Sequence, residues 1–196
     1  MSTPRRGTLI AAALASAAIL AVSGVAVWHH LGGGGGETPT MRNAVMVPVD
    51  AAVEAAQLNA SNCASRLAEV TQLTDRAGID AELDRLETCG SAARRLAEEG
   101  YGALDIAAGV TGAPGAAPSP RRAQYLDAAG SLLSVYEIQG DDFDVAYDIL
   151  DRARRTGAPL GPLASDITSI LGNASSDVAA AREEAARARD AYRKRG

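Results

Sequence analysis

The chain has 196 residues, of which 47% are hydrophobic but only 4% aromatic, and its formal net charge is −5. That length accommodates one domain and an appendage, and abundant alanine beside few aromatic or β-branched residues favours helices over strands. An acidic chain is excluded as a nucleic-acid binder by its electrostatics. Arginine carries nearly all the positive charge, with Lys194 the single lysine, a composition that points to a high-GC bacterial genome.

The first element is Leu9–Trp28, LIAAALASAAILAVSGVAVW, an uncharged run preceded by Arg5 and Arg6. As a helix it would span ~30 Å, the thickness of a bilayer's hydrocarbon core. Basic residues before it and Trp28 at its end predict a single-pass anchor, amino terminus inside and the remainder outside the cytosol. The rival is a cleaved signal peptide, with Gly24 and Ala26 as the small residues of a cleavage site, which would leave a secreted protein. Both readings export the rest. Residues 1–31 are therefore read as signal-anchor, and residues 32–46, opening with the pentaglycine Gly32–Gly36, as a flexible tether. The pentaglycine lacks the Lys-Ser/Thr that completes a phosphate loop. His29 and His30 point to different faces of a helix with no third ligand, and are read as interfacial residues rather than a metal site.

From Val47 the apolar residues follow a 4-3 rhythm, Val49, Val53, Ala56, Ala60, Cys63, Leu67, Val70, Thr74, which predicts a helix burying one narrow stripe. Gly78 supplies a stop and Asp80 an N-cap. The next stripe is Ile79, Leu83, Leu86, Cys89, Ala93, Leu96, with fraying expected from Gly100 to Gly109. A bend near Arg76–Ile79 leaves both cysteines about thirteen residues from the turn, at the same height of an antiparallel hairpin and on its inward stripes. They then meet within the ~4.4–6.8 Å Cα separation of a disulfide, whereas one unbroken helix would hold them ~39 Å apart. Residues 47–110 are read as a hairpin linked by Cys63–Cys89, in keeping with export.

Residues 111–120, TGAPGAAPSP, form a linker. Ser119 caps a third helix with Pro120 in its first position. This helix is expected to end near Gln139 at Gly140, and a fourth to run from Asp141 to Gly157 with the stripe Phe143, Ala146, Tyr147, Leu150, Ala153. Pro159 and Pro162 lead into a last helix whose stripe, Leu163, Ile167, Ile170, Ala174, Val178, Ala181, Ala185, Ala188, Tyr192, keeps phase through Gly172. Residues 121–196 thus pack with 47–110 as one all-α bundle of about five helices behind the anchor.

Tyr136, Gly140, Phe143, Ala146, Leu150 and Ala153 resemble the small-large-small interlocking of one tetratricopeptide hairpin, with a residue inserted after the glycine. The resemblance covers about thirty residues, implies a helical hairpin there and carries over no binding residue. The same region is acidic. Asp141, Asp142, Asp144, Asp148 and Asp151 form a candidate patch for a cationic ligand, without the residue order of a calcium loop. Arg193, Lys194 and Arg195 complement the last helix's dipole and are candidates to meet acidic wall polymers or lipid headgroups.

No histidine follows His30, which leaves the region beyond the apolar run without the usual triad base and the commonest zinc ligand. The chain is read as no enzyme, with no catalytic residue, metal or cofactor expected. The expectation is a membrane-anchored extracytoplasmic module that binds or scaffolds in a bacterial cell envelope, its partner an unknown envelope protein or a second copy. A solute-sensing helical module and a fully secreted protein are the alternatives.

Overall fold

Helix formation begins earlier than the apolar rhythm suggests. The Thr38 hydroxyl accepts the Met41 N–H at 3.2 Å, with Pro39 in the first helical position, the arrangement that satisfies an orphan donor and wastes none on proline. Helix α1 spans Pro39–Val70 and carries Pro48 inside it. The segment read as a tether over 32–46 is therefore helical from Pro39 onward. Pro48 masked this in the sequence, because an interior proline forfeits one backbone hydrogen bond and ordinarily marks a boundary.

The computed structural model describes residues 37–70, 78–111 and 119–194. The expected anchor over 1–31, the pentaglycine, Thr74 with the bend at Arg76, and most of the 111–120 linker lie outside the described residues. So do the side chains of the stripe positions Leu67, Val70 and Ala174. Helix α2 spans Ile79–Gly109, α3 Pro120–Thr156 and α4 Leu160–Arg193. The fold is all-α, with no strand among the described residues. None of the described helices is long and apolar enough to cross a membrane.

Two starts and stops differ from expectation. Gly78, rather than Asp80, precedes the first residue of α2, and Asp80 lies in the first turn, where the helix dipole favours its charge. The fraying expected over Gly100–Gly109 does not occur. Gly100 is buried because Leu133 of α3 fills the space a side chain there would need.

The largest correction is at Gly140. The expected third and fourth helices are one helix of 37 residues, so the segment resembling a tetratricopeptide hairpin holds no hairpin. Gly140 has no left-handed backbone; Gly157 alone does among the described residues, with φ 76°. The N–H of Gly157 closes α3 on Ala153 O at 3.0 Å, the usual glycine stop. Gly140 serves packing instead. A Cβ on it would lie 3.2 Å from Ala93 Cβ and from Gly90 O, and one on Gly90 would lie 3.0 Å from Gly140 O. The two glycines let the α2 and α3 backbones approach where a side chain would wedge them apart.

Chain direction alternates. α3 is the hub, packed on α2 along one side and on α4 along another, with α1 closing the bundle. The core divides along its length. At one end Val45, Met46 and Val49 of α1 meet Ala107, Tyr125, Ala129 and Tyr192. A middle layer holds Ala56, Ala60, Ala128, Leu132, Leu133, Tyr136 and Ala185. The far end holds Cys63, Ile79, Leu83, Leu86, Cys89, Phe143, Ala146, Leu150 and Ile167. The described members of each stripe are buried or half-buried, as their spacing predicts.

Candidate functional site

The cysteines lie at disulfide distance. Cys63 and Cys89 are joined with Cα atoms 5.9 Å apart across a sequence separation of 26, inside the far core layer. The bond staples α1 to α2. Both sulfurs are consumed in it and buried, which makes it a structural feature.

The acidic patch separates into two parts. Asp144 receives Arg94 of α2, and this hydrogen bond, ahead of the nearby charges, raises the arginine's already high pKa. Asp151 is buried and takes Arg154 at 2.6 Å and Arg155 at 2.9 Å, while Arg154 also reaches Asp80 at 2.8 Å. These two carboxylates are structural anchors. Asp141 is only loosely held, 3.5 Å from Arg94. Asp142 and Asp148 have no ion pair among the described residues. Partial burial first, and then the negative charges of Asp141 and of Asp177 on α4, push the Asp142 carboxyl above the ordinary carboxylate range. Three carboxylates are thus crowded together with little cation to offset them.

The same outward face of α3 exposes two large apolar side chains, Ile138 at 56% and Val145 at 47%. They lie seven residues apart and so share a stripe, with half-buried Val135 and Ile149 continuing it. Asp141 and Asp148 flank this stripe on one side and Asp142 on the other. The spacing of 135, 138, 145 and 149 makes a second apolar stripe only along an unbroken helix; a stop at Gly140, which the sequence suggests, divides it in two.

A second polar cluster sits at the opposite end of the bundle, where Glu37 enters. Arg122 is 2% exposed, and its guanidinium donates to the carbonyls of Ala107, Ala108 and Val110 at the carboxyl end of α2. It also stands 3.8 Å from Glu37 Oε1. A buried cation here adds donors where the last carbonyls of a helix run short of them and sits at the negative end of the α2 dipole. The Ser119 hydroxyl donates to Glu37 at 3.0 Å while accepting the Arg122 N–H at 3.2 Å. Alongside, the Tyr125 and Tyr192 rings stack with centroids 5.5 Å apart. The Tyr125 hydroxyl donates to Asp50 at 2.8 Å, and Arg189 approaches the same carboxylate at 2.9 Å. Burial first, and then Asp50, pushes the Tyr125 hydroxyl pKa far above its usual value; for Tyr192 it is burial and then Glu37. Both phenols stay neutral. The sequence does hold a signal for Arg122: it stands in 3-4-3-4 phase with Tyr125, Ala129, Leu132 and Tyr136, on an inward stripe.

Among the described residues no group of three His, Cys, Asp or Glu side chains is arranged to hold a metal. Comparison of the chain with protein-family models, curated proteins and solved structures finds no match.

Proposed function

We propose that this protein is a membrane-anchored extracytoplasmic binding or scaffold module of a bacterial cell envelope, with the outer face of α3 as its partner-facing surface. The observation that carries the reading is the exposed pair Ile138 and Val145 bordered by Asp142 and Asp148, carboxylates that no described cation neutralises. An apolar stripe edged by negative charge favours a partner segment that combines apolar and basic side chains, since charge complementarity sets register and excludes wrong partners. Anchoring is supported by the length of Leu9–Trp28 and the arginines before it. Export is supported by the joined cysteines, which would be unusual in a bacterial cytosol. A secreted form is the second reading, favoured by the small residues Gly24 and Ala26.

The test places a photo-crosslinking residue at Ile138 or Val145 of the full chain in living cells, with the equally exposed Leu58 of α1 as the control position. The expected result is one discrete adduct from the α3 positions and none from Leu58. Absence of any α3 adduct, or identical adducts from all three positions, overturns α3 as the binding face.

A further inference from the structure

We propose that a hollow between the start of α3 and the end of α4 binds a phosphodiester group, supplied by an anionic lipid headgroup. Arg121, Arg187, Asp190, Ala191 and Lys194 line an open hollow of about 410 Å³, ample for a phosphate and its hydration. Arg121 commits only one N–H, to Ala191 O at 3.5 Å, and the remaining guanidinium donors keep the planar fork that pairs with phosphate oxygens. Arg187 shares its charge with Glu183 at 2.5 Å. Lys194 has no charged partner among the described residues. Three cations against the carboxylates of Asp190 and Glu183 leave one net positive charge, which matches the single negative charge of a phosphodiester.

Position selects the lipid as the source, and this step alone rests on the anchored reading. Arg121 follows Ser119 by two residues, and Ser119 holds Glu37 at 3.0 Å. Only Leu31–Gly36 separate Glu37 from the histidines that follow the apolar run, and six extended residues reach at most ~20 Å. With Leu9–Trp28 in the bilayer, the hollow is confined to a thin layer beside the headgroups. A tether that short holds a site at an effective concentration in the millimolar range, so a weak intrinsic affinity suffices to seat the bundle on the membrane. Arg193, next to Lys194 on the exposed end of α4, extends the basic surface.

The experiment is isothermal calorimetry on the purified chain in an uncharged maltoside detergent, titrated with glycerophosphoglycerol (the deacylated phosphodiester headgroup), glycerophosphocholine and inorganic phosphate. Glycerophosphoglycerol is expected to bind more tightly than inorganic phosphate, and the zwitterionic choline ester not to bind. Arg121→Gln and Lys194→Gln are each expected to weaken binding about tenfold, the loss of one charge-assisted contact. All the substitutions are on exposed side chains, and circular dichroism verifies the fold. Tighter binding of inorganic phosphate overturns the headgroup as the source. No binding of either anion, or undiminished affinity in Arg121→Gln, overturns the site itself. If the mature protein proves to lack its apolar run, the anchored reading fails, yet the same titration on the cleaved chain still decides whether the hollow binds phosphodiesters.

Discussion

Single residues in this bundle act through what stands opposite them, and the glycines make this measurable. Gly102 of α2 has nothing within 4 Å of a built Cβ, so Gly102→Ala is expected to stabilise the protein by about 0.5–1 kcal/mol through helix propensity alone. Gly140→Val meets the α2 backbone at Gly90 and is expected to destabilise by about 1–3 kcal/mol. Urea unfolding of the two variants checks both signs; a stabilising Gly140→Val would remove the close crossing of α2 and α3. Arg122 offers a second case. Arg122→Met keeps the aliphatic stem but removes the cation beside Glu37 and the donor to the Ala107, Ala108 and Val110 carbonyls, and is expected to cost about 3–5 kcal/mol, the range for breaking a buried charged pair. Asp142 offers a third, with pH as the variable. Its carboxyl is raised in the folded state by burial and by Asp141 and Asp177. The fold therefore bears a penalty once both states are ionised, begins to shed it as pH falls through the raised carboxyl's own pKa, and has lost it below the unfolded carboxyl's pKa of about 3.9. Asp142→Asn should be more stable than the parent at pH 7, with the difference vanishing near pH 3.5. Equal differences at the two pH values would place the carboxyl outside the acidic cluster.

Between elements, what could be read in advance was whatever repeats along one strip of surface. The 4-3 spacing of Ala56, Ala60 and Cys63, or of Ile79, Leu83, Leu86 and Cys89, depends only on helical period, and those side chains are buried. The Ser119-Pro120 start and the Gly157 stop were equally legible, because a cap is a local hydrogen bond. Gly140 was not, since whether a glycine ends a helix or admits a neighbour depends on Gly90, fifty residues away in the chain. The proposed α3 face was lost with it: Asp141, Asp142 and Asp148 were legible as a cluster, but the apolar stripe they border exists only if the helix is unbroken. The cysteine pairing follows from the symmetry of a hairpin, and its contribution is open to test. A bond closing a loop of 26 residues contributes about 3–4 kcal/mol in the chain-entropy model. Cys63→Ala with Cys89→Ala should lower stability by that amount while leaving helix content unchanged. An unchanged urea midpoint would mean that the α1–α2 contact is already held by the core layer around Phe143 and Leu150.

For the whole molecule, the polarity of the bundle ties these observations together. One end carries the network of half-buried Glu37 and Ser119 with buried Arg122, and the entry to α1; the joined cysteines lie in the core layer at the other. Buried ion pairs add little net stability over apolar packing but are strongly destabilising to break. The network therefore ties Glu37, two residues before α1, to Ser119 and Arg122 at the start of α3, so that a pull on the chain there is expected to be shared with α2 and α3. That is a sound mechanical design for a bundle tethered from this end, and it predicts how the protein should respond to proteolysis. In spheroplasts, an external protease is expected to cut within residues 31–36, where the anchored reading leaves a short spacer outside the membrane, and to release a disulfide-intact fragment beginning close to Glu37. Mass spectrometry of the released and membrane-bound pieces reads this directly. Protection of the chain until the membrane is permeabilised would place the bundle inside the cell, and a mature amino terminus near Val27 before any protease is added would mean the bundle is secreted rather than held.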